Sequence, residues 1–251
     1  MKNPSVGIVG MGVVGSGMMR LFPWAIWYDK SKGGDKKKVN ETDFCFVCVP
    51  TPMLSDGSCD ISIVEEVVDW LQSDIIIVKS TIPPGTTEKL ILRTGKKICF
   101  SPEYMGETQH SRPKNDFVIL GGKPETTSCV AQLYQQSFDC SLKIRQTDTK
   151  TAELVKYMEN SFLACKVVFC NEFYRISNQL EIDYTELREL FLQDSRQNRS
   201  HTFVYEQAPY YDSKCFNKDL PALVAFSKKQ GFMPKFIQAV IDRNEEYFKK
   251  A

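Results

Sequence analysis

The feature that most constrains this chain is a glycine-rich turn set between a strand signal and a helix signal. Ser5-Val6-Gly7-Ile8-Val9 is a short apolar run, Gly10-Met11-Gly12-Val13-Val14-Gly15 follows at once, and spacing that suits a helix continues over residues 13–21. Glycines let the backbone turn sharply, and the missing side chain lets a pyrophosphate reach the helix N-terminus, where unpaired N–H groups and the dipole favour negative charge. Nineteen residues after Gly10, Asp29 closes the second apolar run. A carboxylate there accepts hydrogen bonds from an adenosine ribose and repels a 2′-phosphate. Gly10, Gly12, Val13, Val14, Gly15 and Asp29 are therefore expected to bind a dinucleotide, NAD ahead of NADP. Lys30 and Lys32 would partly compensate the carboxylate, and FAD is a minor competitor. A glycine turn in an α/β protein that binds no nucleotide is the plainer alternative.

The turn opens an alternation of β-rich runs (residues 5–9, 24–28, 44–49, 75–79, 98–101 and 118–121) with helical spacing over 13–21, 61–71 and 86–94. That pattern predicts an α/β chain with a Rossmann-type, doubly wound parallel sheet. Thr51-Pro52 and Pro83-Pro84-Gly85 mark loops after the third and fourth strands, where such sheets bind ligands. From about Asp148 the texture becomes helical: one helix of about thirty residues over 149–180, then 183–192, 221–229 and 234–249. The expected division is a dinucleotide-binding domain over 1–147 and a mostly helical domain over 148–251. Lys36-Lys37-Lys38 reads as a solvated loop, and no internal repeat is present.

Charge and cysteine usage narrow the partners. Lys+Arg 32 against Asp+Glu 31 leaves a formal charge of +1, so no net field points to nucleic acid or an anionic membrane surface. The first residues lack the basic flank and apolar core of a secretory signal, and no stretch is long and apolar enough to span a bilayer. Nine cysteines are an odd number without metal-type spacing, which predicts a reducing, cytoplasmic setting; Cys45, Cys48 and Cys129 read as buried structural thiols. His110 and His201 are isolated in sequence, so no metal site is expected.

Five further segments occur in order: Val49-Pro50-Thr51-Pro52; Ser80-Thr81-Ile82-Pro83-Pro84-Gly85-Thr86; Ser101-Pro102-Glu103-Tyr104 with Glu107; Ala152-Glu153 through Lys156, Asn160, Ala164-Cys165-Lys166 and Asn171-Glu172; and Cys215-Phe216-Asn217-Lys218-Asp219. Together with the glycine turn, this series resembles the UDP-glucose/GDP-mannose dehydrogenase family along nearly the whole chain. The resemblance implies NAD-dependent oxidation of the primary alcohol of a sugar nucleotide, UDP-glucose-like, to a carboxylate. It implies Cys215 as the nucleophile that captures the aldehyde as a thiohemiacetal and releases the acid from a thioester. Asp219 would position water or a proton, and Lys166 and Asn171 would stabilise charge on the substrate oxygen. Thr81 and Glu107 bear on proton transfer, Glu103 and Arg196 of Asp194-Ser195-Arg196 lie toward substrate, and Pro50, Thr51 and Thr81 toward the cofactor.

Each assignment has a plainer counterpart: a buried thiol at Cys215, a lysine snorkelling to solvent at Lys166, caps or surface acids at Thr81, Glu103 and Glu107, and an exposed ion pair at Arg196. Lys166 and Asn171 also diverge by about 140° on a straight helix, so they share a pocket only if it wraps the helix or the helix is distorted.

Three departures accompany the resemblance. The family's glycine-rich stretch before the cysteine is Ala208-Pro209-Tyr210-Tyr211-Asp212-Ser213-Lys214, and tyrosines and aspartate do not adopt glycine conformations freely. Between Asp29 and Phe44 the family's longer insert is cut to a lysine-rich loop, removing a peripheral strand-helix piece. The family continues past a long central helix into a further α/β domain that grips the nucleotide, and this sequence stops at Ala251, which leaves open a naturally short enzyme and a fragment. A two-electron hydroxyacid dehydrogenase and a non-catalytic dinucleotide-binding subunit remain as alternatives. A homodimer is expected, because Phe236, Ile237, Val240, Ile241, Tyr247 and Phe248 on the last helix need a covering surface, and the resemblance places self-association on the long helix.

Overall fold

A computed structural model describes residues 4–104, 116–138 and 142–249. In chain order the strands are β1 (Val6–Val9), β2 (Ile26–Asp29), β3 (Gly33–Gly34), β4 (Phe44–Val47), β5 (Ile75–Val78), β6 (Ile98–Phe100), β7 (Phe117–Gly121) and β8 (Lys143–Thr147). The helices are α1 (Val13–Leu21), α2 (Lys36–Val39), α3 (Ser62–Trp70), α4 (Thr86–Thr94), α5 (Pro124–Ser137), α6 (Thr149–Gln179), α7 (Tyr184–Phe191), α8 (Phe216–Lys229) and α9 (Lys235–Lys249). The chain divides into two compact units, one of Met1–Pro52 with Cys59–Lys156 and another of Met53–Ser58 with Tyr157–Ala251.

The first unit is a doubly wound α/β layer. Its sheet runs β3-β2-β1-β4-β5-β6-β7-β8, parallel throughout except where β2 meets β3 and β6 meets β7. Alternate residues of the central strands feed opposite faces. Ile8, Phe46 and Ile77 pack under α1 and α5 with Met18, Val130 and Tyr134, while Cys45, Val47 and Ile76 pack under α3 and α4 with Val64, Val68 and Leu90. The chain leaves β1 toward β2 on one side and resumes at β4 on the other, so the loops after β1 and β4 flank the switch point where an open parallel sheet binds ligands.

Four elements, β3, α2, α5 and β8, lie beyond those the sequence pattern predicts. β8 is the sheet's polar edge strand, largely solvent-facing and therefore without an apolar signature, and α5 is the crossover from β7 that the pair requires. Lys36-Lys37-Lys38 is not a solvated loop but the body of α2. Asp35 Oδ1 caps it by accepting from Lys38 N at 2.9 Å, and the Lys36 ammonium sits 4.3 Å from the Trp70 ring centre. Together with the two-residue β3, this leaves a minimal strand and helical turn in the contracted insert. Cys129, read as buried, is exposed on α5, whereas Cys45, Cys48, Cys99 and Cys170 are buried.

In the second unit, α6 runs unbroken to Gln179, within one residue of its expected end. α8 begins five residues before the expected start and carries Pro221 inside. A proline in the second turn removes only one helical donor, and Ser213 Oγ holds the helix start by accepting from Cys215 N at 3.2 Å and Phe216 N at 3.3 Å. Much of the apolar face of α9 is covered within the chain: Val240 and Tyr247 are buried, and Ile237 and Ile241 pack with Ala164, Val168 and Leu220. Of the residues expected to need a partner surface, Phe236 and Phe248 are the ones left exposed.

Candidate functional site

Each glycine of the first turn has a distinct structural reason. Gly10 has φ +92°, and a Cβ there would lie 2.6 Å from the Cys48 carbonyl oxygen; at Gly15 a Cβ would lie 1.8 Å from the Gly10 carbonyl oxygen. Gly12 instead faces open space and is the N-cap of α1, whose first turn carries no side-chain cap and no acid. The N–H groups of Val13 and Val14 open into this uncapped start, an arrangement that suits a pyrophosphate.

Asp29 braces the turn. Its Oδ2 accepts from Met11 N at 2.7 Å, while Oδ1 accepts from Ser31 N at 2.8 Å, Ser31 Oγ at 2.7 Å and Lys32 N at 3.0 Å. The Met11 amide, then the Ser31 hydroxyl, hold the carboxyl far below the usual carboxylate range, so it stays charged. Lys30 pairs with Glu66 at 3.8 Å, and the Lys32 ammonium donates to the Met11 carbonyl. The two lysines that would welcome a 2′-phosphate thus have partners in the protein. Across the switch point, Thr51 is buried and Pro50 exposed after β4.

The glycines make separable predictions. Gly12→Ala is expected to fold normally yet weaken NAD binding by at least about tenfold, because its methyl enters the space over the helix N-terminus. Gly15→Ala is expected to fail at folding. Calorimetry and thermal melting distinguish the two effects.

A residue that the sequence reading missed lies beyond β5. The Lys79 ammonium is buried and donates to Ser101 Oγ at 3.3 Å and the Pro102 carbonyl at 3.2 Å, while pairing with Glu103 Oε2 at 3.2 Å. Burial pushes this ammonium down, but Glu103, with smaller help from Tyr134 and Cys48, more than offsets that and holds it above its ordinary value. Glu103 therefore stands in a buried ion pair. The available signal was a cation ending the wholly buried run Ile75–Val78. Thr81 is half-buried in the same loop, and its carbonyl lies 3.7 Å from Cys59 Sγ. Glu153, buried on α6, grips the start of α4: its Oε2 accepts from Gly85 N at 2.5 Å and its Oε1 from Thr87 N at 2.8 Å. Glu107 and His110 lie outside the described residues.

The second unit holds the remaining candidates. Cys215 is exposed at the N-cap of α8, where the helix start favours negative charge. One turn on, Asp219 is buried, with Oδ2 accepting from Asn160 Nδ2 at 2.6 Å and Oδ1 from Lys218 Nζ at 2.6 Å. The loop before the cysteine is built without left-handed residues, since none of 208–214 has positive φ. Tyr211 is fixed at both ends of its backbone by the Asn244 side chain, at 2.8 and 3.0 Å, and Asp212 Oδ1 accepts from Asn217 Nδ2 at 2.7 Å.

Lys166 and Asn171 take separate paths, as the angle between them requires. The Lys166 ammonium donates to Asn198 Oδ1 at 2.8 Å, the Asn198 carbonyl at 3.2 Å and the Ser200 carbonyl, and burial pushes its pKa below the ordinary lysine value. Asn171 is buried, its Nδ2 donates to the Val167 carbonyl at 3.0 Å, and its Oδ1 has no partner among the described residues. Arg196 forms an exposed pair with Asp194, with both carboxylate oxygens accepting from Nε at 3.0 Å. His201, at φ +62°, lies against the Phe216 ring with centroids 5.8 Å apart. Among the described residues no three metal-ligating side chains come together, and no helix is long and apolar enough to cross a membrane.

Comparison with known proteins adds an independent result. Residues 31–138 match the NAD binding domain of the UDP-glucose/GDP-mannose dehydrogenase family, and residues 150–246 match that family's central domain. The glycine turn precedes the first matched stretch, so its reading stands on its own geometry. A UDP-glucose 6-dehydrogenase of Rickettsia bellii (strain RML369-C) is 29% identical over 223 residues, covering 84% of this chain and 51% of that protein. A UDP-N-acetyl-D-mannosamine dehydrogenase of Methanocaldococcus jannaschii is 31% identical over 205 residues, covering 76% and 46%. The chain thus spans about half the length of the curated relatives it matches. A solved UDP-glucose dehydrogenase from Pyrobaculum islandicum shares the fold at TM-score 0.83 and 24% identity, over 98% of this chain and 68% of that one.

Proposed function

Because this chain belongs to the UDP-glucose/GDP-mannose dehydrogenase family, we propose that it oxidises the primary alcohol of a sugar nucleotide, UDP-glucose-like, to a carboxylate. NAD is the cofactor, and when bound it would supply the two-electron oxidant for each of two oxidation steps. The observation that carries the reading is the exposed Cys215 at the start of α8, one helical turn before a buried, hydrogen-bonded carboxylate at Asp219.

The uncapped start of α1 would hold its pyrophosphate, and Asp29 would accept from its adenosine ribose. Once the alcohol has become an aldehyde, Cys215 Sγ adds to its carbon and forms a thiohemiacetal. Loss of the second hydride gives a thioester, and water then releases the acid and restores the thiol. Asp219 accepts the proton of the attacking water, while the Asn171 amide and the Lys166 ammonium steady negative charge on the sugar oxygen. For Lys166 this requires exchanging the Asn198 and Ser200 carbonyls for the substrate. Thr81, Glu103, Glu107 and Arg196 are assigned to proton transfer and substrate placement in the same reaction. The tyrosines and aspartate at 210–212 favour a second reading, a dinucleotide-binding subunit without turnover.

The test is NADH formation with UDP-glucose, UDP-N-acetyl-D-mannosamine and GDP-mannose. Two NADH per sugar on at least one of them is the expected result. Turnover of a plain hydroxyacid alone would make the chain a two-electron dehydrogenase, and NAD binding without any turnover would favour the second reading.

A homodimer belongs to the same proposal. Met158, Phe162, Phe169, Phe173, Ile176 and Leu180 are all exposed, and at 100° per residue they fall within about 60° of arc on α6 and its end. Such a stripe is a seam for a second helix. Light scattering is expected to give twice 28.7 kDa for the wild type and a monomer for Phe162→Glu/Phe169→Glu. A wild-type monomer at micromolar concentration would remove the dimer from the proposal.

A further inference from the structure

The corner between α8 and α9 presents apolar side chains to solvent inside a collar of cations. Residues 228–233 are exposed without a break; Phe232 is 66% exposed, and Phe236, in the first turn of α9, 70%. Met233 between them is exposed as well. Taking such side chains out of water is favourable, so two phenylalanines this open call for a surface that receives them. The exposure is built into a fixed turn. Gly231 takes φ +84° and closes α8: its N–H donates to the Lys228 carbonyl at 3.0 Å, and Phe232 N donates to the Ser227 carbonyl at 3.0 Å. Lys235 N donates to the Met233 carbonyl at 2.9 Å, and buried Pro234, which has no N–H, stands just before α9. These donors are satisfied from within, so the corner can enter a medium poor in water without stranding them.

The charge of the corner is one-sided. The chain as a whole carries a formal +1, yet residues 220–241 hold Lys228, Lys229 and Lys235 and no acid. Asp56 reaches the collar from another loop, 3.6 Å from Lys229, but that pair is exposed on both sides and contributes little. We infer that this corner docks on an anionic lipid surface: Phe232, Met233 and Phe236 enter the boundary between headgroups and acyl chains, and the three lysines meet the lipid phosphates and carboxylates around them. Two points favour a bilayer over a protein partner. Lysine is depleted where proteins meet, whereas at a membrane its stem lies along the apolar zone and its ammonium stays among the headgroups. A bilayer also demands no complementary shape, which suits a turn that protrudes. Each lysine near an anionic surface strengthens binding about fivefold, and the attraction is screened beyond about 8 Å at physiological salt. Neither the cofactor turn nor Cys215 takes part.

Sedimentation of the whole chain with unilamellar vesicles tests this, using phosphatidylcholine alone and phosphatidylcholine with phosphatidylserine in equal parts. Wild type is expected to pellet with the mixed vesicles, to stay in solution with phosphatidylcholine alone, and to be released from the mixed vesicles as salt rises. Lys228→Glu/Lys235→Glu is expected to weaken binding by at least about twentyfold, the product of two lysine contributions. Phe232→Ser/Phe236→Ser is expected to weaken it by about tenfold or more while melting near the wild-type temperature, because side chains this exposed carry little of the fold. A wild-type chain that stays in solution with the mixed vesicles would overturn the proposal, as would equal binding to both vesicle types. Wild-type binding by either double variant would place the contact on another surface and overturn it too. If Phe232→Ser/Phe236→Ser instead turns a dimer into a monomer in light scattering, and no vesicle is bound by wild type, the corner belongs to a second copy and the proposal falls.

Discussion

Cys215→Ala is expected to abolish net acid formation from the sugar nucleotide, lowering turnover by at least about a thousandfold, the scale seen when a covalent nucleophile is removed. NAD affinity should not change, because the uncapped start of α1 and the Asp29 brace are built from residues 10–32. Stoichiometry is the sharper measurement. Wild type should yield two NADH and one carboxylate per sugar, whereas the variant has no thiol to hold the aldehyde. Cys45→Ala is the control: that thiol is fully buried in β4, and losing it should cost stability and spare chemistry. One NADH per substrate in both wild type and Cys215→Ala would reject covalent capture and leave a two-electron dehydrogenase.

The second large effect is on stability. Lys79→Met strands the Glu103 carboxylate in a site that is about nine-tenths closed, and breaking a buried ion pair on one side costs about 3–5 kcal/mol. The double variant Lys79→Met/Glu103→Leu removes both charges and should recover most of that loss, since apolar pairs of similar volume replace buried ion pairs at little or no cost. Urea unfolding of the three proteins reads the difference. A single variant as stable as wild type would mean that water reaches Glu103, and that the pair contributes little.

What could be read in the sequence was what is encoded locally. The glycine turn, its strand, its helix and Asp29 fall within 25 residues, and α6 announces itself through thirty residues without glycine or proline. β8 escaped because an edge strand with polar side chains on both faces has no apolar period to detect. Pro221 misplaced the start of α8, because a proline usually opens a helix and the hydroxyl that supports the true start, on Ser213, lies eight residues upstream. Lys79 and Glu103 are 24 residues apart, and Asn160 and Asp219 are 59 apart. Pairings over such distances exist only once the strands and helices are assembled. The helical angle did separate Lys166 from Asn171 in advance; it could not show that the loop at 198–200 receives the ammonium.

Glu153 has a consequence for where a doubly charged phosphate ligand can settle. Helices α1, α3 and α4 each follow a strand in sequence, and each begins with amide groups hungry for an anion. At α4 that appetite is satisfied by the Glu153 carboxylate, and at α3 Asp60 accepts from Ser62 N at 2.9 Å. Of the helix starts that follow the adjacent parallel strands β1, β4 and β5, two are thus occupied by the chain's own acids and that of α1 is left clear. A diphosphate is repelled at the two occupied starts and met by free amides at α1. The fidelity of diphosphate docking would then depend on Glu153 and Asp60, at the neighbouring helix starts, as much as on the glycine turn.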